Sequence, residues 1–229
     1  MLPRFTPAYL GRLAWRAALF TFGLFIFAIG LVLNVRANLG LGPWNVFQYA
    51  LTLWTPLSLG QVSQVVGLAI IGASYLLGIK PGIGTVANML LIGVFIDVGM
   101  AWIPDAREPP QQYVALAAGL LALGFGSGMY IKPAFGAGPR DSLMLGLVLR
   151  SGWRVGLIRN LLEGTVLVAG YLLGGPVGIG TALFVLLIGP AVDAGLVFWR
   201  VPVQRRRRAF GSWLRRPADG AEASVSSAP

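Results

Sequence analysis

Apolar residues gather in six blocks of spanning length, near 13–35, 58–79, 83–104, 111–131, 155–173 and 179–199. A helix of roughly 20 such residues crosses a hydrocarbon core of about 30 Å. Two further segments, 43–54 and 139–150, start at Pro43 and Pro139, which suit a first helical turn, and carry Asn45 or Asp141 near the positive helix end. At a rise of about 1.5 Å per residue they reach only about 18 Å, too short to span. The pattern predicts an all-α, polytopic membrane protein of about six transmembrane helices plus two short half-helices, re-entrant or interfacial.

The pattern also repeats. From Gly23 to Gly99 the motifs recur without a gap 96 residues later. Gly40-Leu-Gly-Pro43 returns as Gly136-Ala-Gly-Pro139, Tyr75-Leu-Leu-Gly78 as Tyr171-Leu-Leu-Gly174, Gly82-Ile-Gly-Thr85 as Gly178-Ile-Gly-Thr181, and Asp97 falls on Asp193. Chance similarity between apolar segments matches Leu and Val; a match of Gly, Pro, Thr and Asp together marks a duplication. Three spans per repeat is an odd number, so the second copy enters the membrane upside down, as inverted repeats do in many transporters. The expected organisation is a cytoplasmic N-terminal segment 1–11, membrane repeats 12–107 and 108–203, and a basic tail 204–229.

Composition agrees with lipid as the solvent. Of 229 residues 56% are hydrophobic and 11% charged, with a mean hydropathy of +0.74, against about 25% charged in soluble domains. The first apolar block is longer than a signal-peptide core and no small-x-small cleavage site follows it, so it reads as a retained helix. The chain has no Cys and no His, which removes thiolate chemistry, disulfides, imidazole metal ligation and His-based acid–base catalysis. No metal, no cofactor and no enzymatic reaction are expected.

The net charge of +10 is concentrated in one place, with Arg205 to Arg208, Arg215 and Arg216 all in the terminal segment. That placement fits anionic lipid rather than nucleic acid, and the low apolar content beyond about Gln204 predicts disorder. Six crossings put Arg4, Arg12, Arg16, Lys80, Lys132, Arg140, Arg150, Arg154 and the tail on one side, and chiefly Arg36 and Arg107 on the other. The positive-inside rule makes the first side cytoplasmic, with both termini there.

The candidate site residues are polar groups inside this apolar frame. Gly40, Gly42, Pro43 and Asn45, with Gly136, Gly138 and Asp141, form glycine-rich turns leading into helix N-termini, where free N–H groups can receive a small solute. In the alternative, Asn45 and Asp141 cap those groups themselves. Asp97 and Asp193 lie in the third helix of each repeat and are candidates for coupling, because ionisable groups in a span are costly. Arg159 and Glu163, at i and i+4, share a face and form an ion pair; Gly67 stands where Glu163 would in the first repeat. Asn88 and Gln64, with Gln61 and Asn160, add amides that suit interhelical hydrogen bonds. Thr85 and Thr181 read as N-caps of the third helices.

The segments Leu39-Gly-Leu-Gly-Pro-Trp-Asn45, Ser58-Leu-Gly-Gln-Val62, Lys80-Pro-Gly-Ile-Gly-Thr85 and Asn88-Met-Leu-Leu-Ile-Gly-Val-Phe-Ile-Asp97 resemble the bacterial YczE/YyaS/YitT family of membrane proteins. The second repeat departs from them, with Arg140 for Trp44, Asp141 for Asn45 and Phe184 for Asn88. The resemblance implies a bacterial inner-membrane location and supplies no substrate or catalytic residue.

The expected function is a secondary transporter or exporter of a small solute, with its site at the repeat interface. The alternative is an accessory membrane protein that binds a partner or lipid and moves nothing. The sequence names neither solute nor coupling ion and leaves homo-oligomerisation open.

Overall fold

The computed structural model describes residues 7–136 and 138–201. The expected arginine tail and the first six residues lie outside the described residues. Those described form eight helices and no strands: α1 (Pro7–Arg36), α2 (Pro43–Trp54), α3 (Leu59–Leu76), α4 (Ile83–Trp102), α5 (Pro109–Ile131), α6 (Pro139–Ser151), α7 (Val155–Leu172) and α8 (Ile179–Phe198). Six of them, all but α2 and α6, are long and apolar enough to cross a bilayer.

Most boundaries follow from local chemistry. Ser58 opens α3 with a capping box: its hydroxyl accepts from the Gln61 N–H at 3.1 Å, while the Gln61 side chain accepts from the Ser58 N–H at 3.0 Å. Gln61 is therefore a capping residue and does not bridge helices. Thr85 and Thr181 sit at the third helical position, not at the N-cap, which is Gly82 or Gly178. Thr181 still serves a backbone donor, accepting from the Gly178 N–H at 3.2 Å. Helix α1 starts at Pro7, ahead of its apolar block, because Arg12 and Arg16 continue the helix although they end the hydropathic run.

The backbone repeats as the sequence does. Positive φ occurs at Asn38 and Ala134, Gly40 and Gly136, and Gly78 and Gly174, each pair one repeat apart. A left-handed turn thus precedes each short helix and another ends α3 and α7.

Glycines set the helix crossings. A Cβ on Gly30 would lie 2.8 Å from the Gly119 carbonyl, and one on Gly126 would lie 2.9 Å from that of Gly23. As α1 advances from Gly23 to Gly30, its contacts on α5 retreat from Gly126 to Gly119, so the two helices run antiparallel. Where lipid supplies no hydrophobic drive between helices, such backbone-to-backbone approach is the main source of attraction. Leu24, Ala28 and Val32 of α1 complete the core with Ile96 of α4 and Leu123 of α5.

The short helices pack across to the other half. Helix α2 packs against α7, and α6 against α3. Trp54 at the end of α2 donates to the Leu173 carbonyl at 2.9 Å, and Arg150 near the end of α6 donates to the Leu76 carbonyl at 3.4 Å. The α3–α4 pairing lacks its counterpart: α3 packs along α4, whereas α7 stands off α8.

Candidate functional site

The start of each short helix is built the same way. A glycine turn bends the chain back, Gly42 or Gly138 takes the N-cap in an extended conformation, and proline follows. Neither N-cap has a side chain to satisfy the first-turn N–H groups. The turns are held by the opposite half: Leu39 accepts from the Gly180 N–H at 2.6 Å, and Phe135 lies against Gly84. Gly40 and Gly136 are therefore structural, packed on the starts of α8 and α4 behind the site.

The two N-termini converge on one cavity of about 360 Å³. Arg140 of α6 stacks over the Trp44 ring of α2, its guanidinium carbon 4.9 Å from the ring centre. Of the residues singled out in the sequence, Gly42, Pro43, Asn45, Gly138, Asp141, Asn88, Arg159 and Glu163 line this cavity. Gln48 and Tyr130 join them. Sequence reasoning missed Gln48, although it lies one turn beyond Asn45 and so shares its face.

Three cavity amides are deeply buried: Asn45 is 5% exposed, Gln48 3% and Asn88 7%. Their side chains have no hydrogen-bond partner among the described residues, and neither does Asp141. Asn45 and Asp141 therefore do not cap the helix starts. Arg159 and Glu163 do pair, at 3.0 Å.

The two helix starts differ in what faces them. A Cβ on Gly42 would run into the ring of Phe184, whereas one on Gly138 would meet only the carboxylate of Asp141 at 3.8 Å and the Asn88 amide oxygen at 3.9 Å. Phe184 and Asn88 occupy equivalent places in the repeats, so one start is sealed by an aromatic ring and the other is open.

Other candidates lie elsewhere. Gln64 donates to the Leu90 carbonyl at 2.9 Å and ties α3 to α4. Asp97 accepts from the Ser58 hydroxyl at 2.6 Å and the Gly60 N–H at 2.8 Å, fastening the start of α3. Asp193 is exposed on α8, outside the cavity wall. Among the described residues no three His, Cys, Asp or Glu side chains converge as a metal site would need.

Comparisons place these features in a wider group. A model described as a family of unknown function, DUF6198, matches residues 14–195. The chain is 39% identical over 169 residues to the uncharacterized membrane protein YczE of Bacillus subtilis (strain 168), covering 73% of this chain and 79% of that one. It is 31% identical over 184 residues to an uncharacterized protein of Haemophilus influenzae, covering 78% and 84%. It is 24% identical over 171 residues to the uncharacterized protein YyaS of Bacillus subtilis, covering 73% and 85%. The resemblance visible in the motifs is thereby borne out. No solved structure matches the chain.

Proposed function

The chain belongs to the DUF6198 family of unknown function, and from that premise we propose that it is a secondary transporter of a small polar solute in the bacterial inner membrane, working by alternating access and performing no chemical transformation. One observation carries this reading. The glycine seam between α3 and α4 is shut, with Gly60 and Gly93 in backbone contact, while their counterparts Gly156 and Gly189 in α7 and α8 have nothing within 4 Å. The same seam is thus engaged in one half and unengaged in the other, with the polar cavity between them. A second state, with α7 closed on α8 and α3 parted from α4, reverses the opening by rocking one half against the other.

Several features support an inverted duplication. Helix α1 runs antiparallel to its counterpart α5, and their glycine contacts exchange under the 96-residue shift. Trp44 and Arg140 are counterparts too and touch, as residues on a pseudo-two-fold axis do. Such an axis turns the short helices into re-entrant elements from opposite sides, with both positive ends at the centre.

A cytoplasmic location of the N-terminal end of α1 is supported by its neighbours. Arg16 donates to the Pro133 carbonyl, and Lys132 lies 5.4 Å from the Trp199 ring centre, so these basic residues share one end of the bundle. At the other end Arg36 is neutralised by Asp105 at 2.9 Å. That imbalance is what the positive-inside rule orients.

The test uses the absence of native cysteine. Cysteines at Gly156 and Gly189 are joined by a short thiol crosslinker, and an Asn45→Cys reporter is labelled by a membrane-impermeant maleimide from each side. Alternating access predicts that the crosslink forms and switches labelling of position 45 to the opposite side. A folded protein that never crosslinks, or whose labelling side is unchanged by the crosslink, contradicts the reading.

A further inference from the structure

The cavity contains two ionic groups, Arg140 and Asp141, that feel the opposite charges around them but make no direct ion pair. Among the described residues Arg140 has no carboxylate within 4.0 Å and Asp141 has no cation within 4.0 Å, whereas Arg159 and Glu163 satisfy each other at 3.0 Å. The wall charges are two Arg, one Asp and one Glu, which sum to zero. Arg140 is half-buried and Asp141 exposed; a ligand of net charge leaves one of them without a direct partner, and an apolar ligand leaves both so.

From this we infer that the cavity binds a small zwitterion, with one carboxylate and one ammonium on a compact, partly apolar body. The assignment rests on the transporter reading and names its substrate class. Arg140 takes the carboxylate: stacked on Trp44, it keeps the edge of its guanidinium plane free for a bidentate contact. The uncapped, open start of α6, which carries Arg140 in its first turn, adds positive potential beside it. Asp141 takes the ammonium.

Independent observations agree with a polar ligand at this end. Asn45, Gln48 and Asn88 are more than nine-tenths buried, line the cavity and have no hydrogen-bond partner among the described residues. Buried amides are seldom left so unless a ligand or water completes them. Ile188, Leu123 and Ile92 give the lining an apolar part that suits the body of the ligand. The volume of about 360 Å³ lies at the small end of ligand pockets, roughly 300–1,000 Å³, and suits a molecule of amino-acid size.

The test compares three probes of one shape on the purified full chain in lipid nanodiscs: leucine, 4-methylpentanoate, which lacks the ammonium, and 3-methylbutylamine, which lacks the carboxylate. Calorimetric titration is expected to show leucine binding at least tenfold more tightly than either analogue; a smaller preference, or no binding of any probe to the folded protein, overturns the inference. Asp141→Asn is expected to reduce the preference for leucine over 4-methylpentanoate below threefold, and Arg140→Gln to abolish leucine binding. Should Arg140→Gln not fold, the Asp141→Asn comparison decides, and an unchanged preference there overturns the assignment. The two readings fail separately: crosslink-dependent switching at position 45 without leucine preference overturns only the zwitterion, while loss of switching overturns transport.

Discussion

The guanidinium of Arg140 lies 4.9 Å from the centre of the Trp44 ring, and the two residues are one repeat apart. The contact thus joins positions 96 residues apart, with an aromatic residue on one side and a cation on the other. The place where the starts of α2 and α6 meet is polar and one-sided.

Trp44→Ala removes the stack, a contact worth about 0.5–2 kcal/mol between a cation and a ring. Leucine affinity is expected to fall by roughly 2- to 30-fold by calorimetry, since the two scales are linked by about 1.4 kcal/mol per tenfold. Trp44→Phe keeps most of it.

The open helix start is narrow enough to be shut. Asn88→Phe places at Gly138 the kind of ring that Phe184 already holds against Gly42. Loss of leucine binding with an unchanged thermal transition is expected; retained binding would show that the polar end of the cavity is not at α6.

Asp97 behaves as a cap for α3, because its carboxylate accepts from both Ser58 and Gly60. Asp97→Ala is expected to lower stability by about 0.5–2 kcal/mol, in the range of a lost helix cap. Leucine affinity measured on the remaining folded protein should be unchanged.

The α1–α5 seam tolerates no side chain. Gly126→Val brings a branched group against the α1 backbone and is expected to cost about 1–3 kcal/mol or more, as overpacking does. Gly164→Ala is the control, because nothing lies within 4 Å of that glycine. Thermal unfolding of the two variants in nanodiscs should separate them clearly.

Much of this architecture was legible before any coordinates. The six spans announce themselves by length, and the half-helices by a glycine turn, a proline and too few residues to cross. The 96-residue period points to the pairing of Trp44 with Arg140 as counterparts, but not to their contact, which depends on how α2 and α6 aim at each other. Asp97 shows the opposite limit: an acid within a span looks like a coupling group, and only the neighbouring helix start reveals its hydrogen-bond partners. The unengaged Gly156 and Gly189 were equally invisible, since their sequence matches that of the closed seam in character and the difference is conformational.

Solute exchange is the most direct measurement of the central claim. Proteoliposomes loaded with unlabelled leucine are placed in labelled leucine, with the Gly156→Cys, Gly189→Cys variant free, crosslinked through a reducible linker, and released by reductant. Alternating access through this cavity predicts exchange above protein-free vesicles, its loss on crosslinking and its return on release. Exchange that continues at full rate with the seam crosslinked, or leucine binding with no exchange in the free variant, would contradict it.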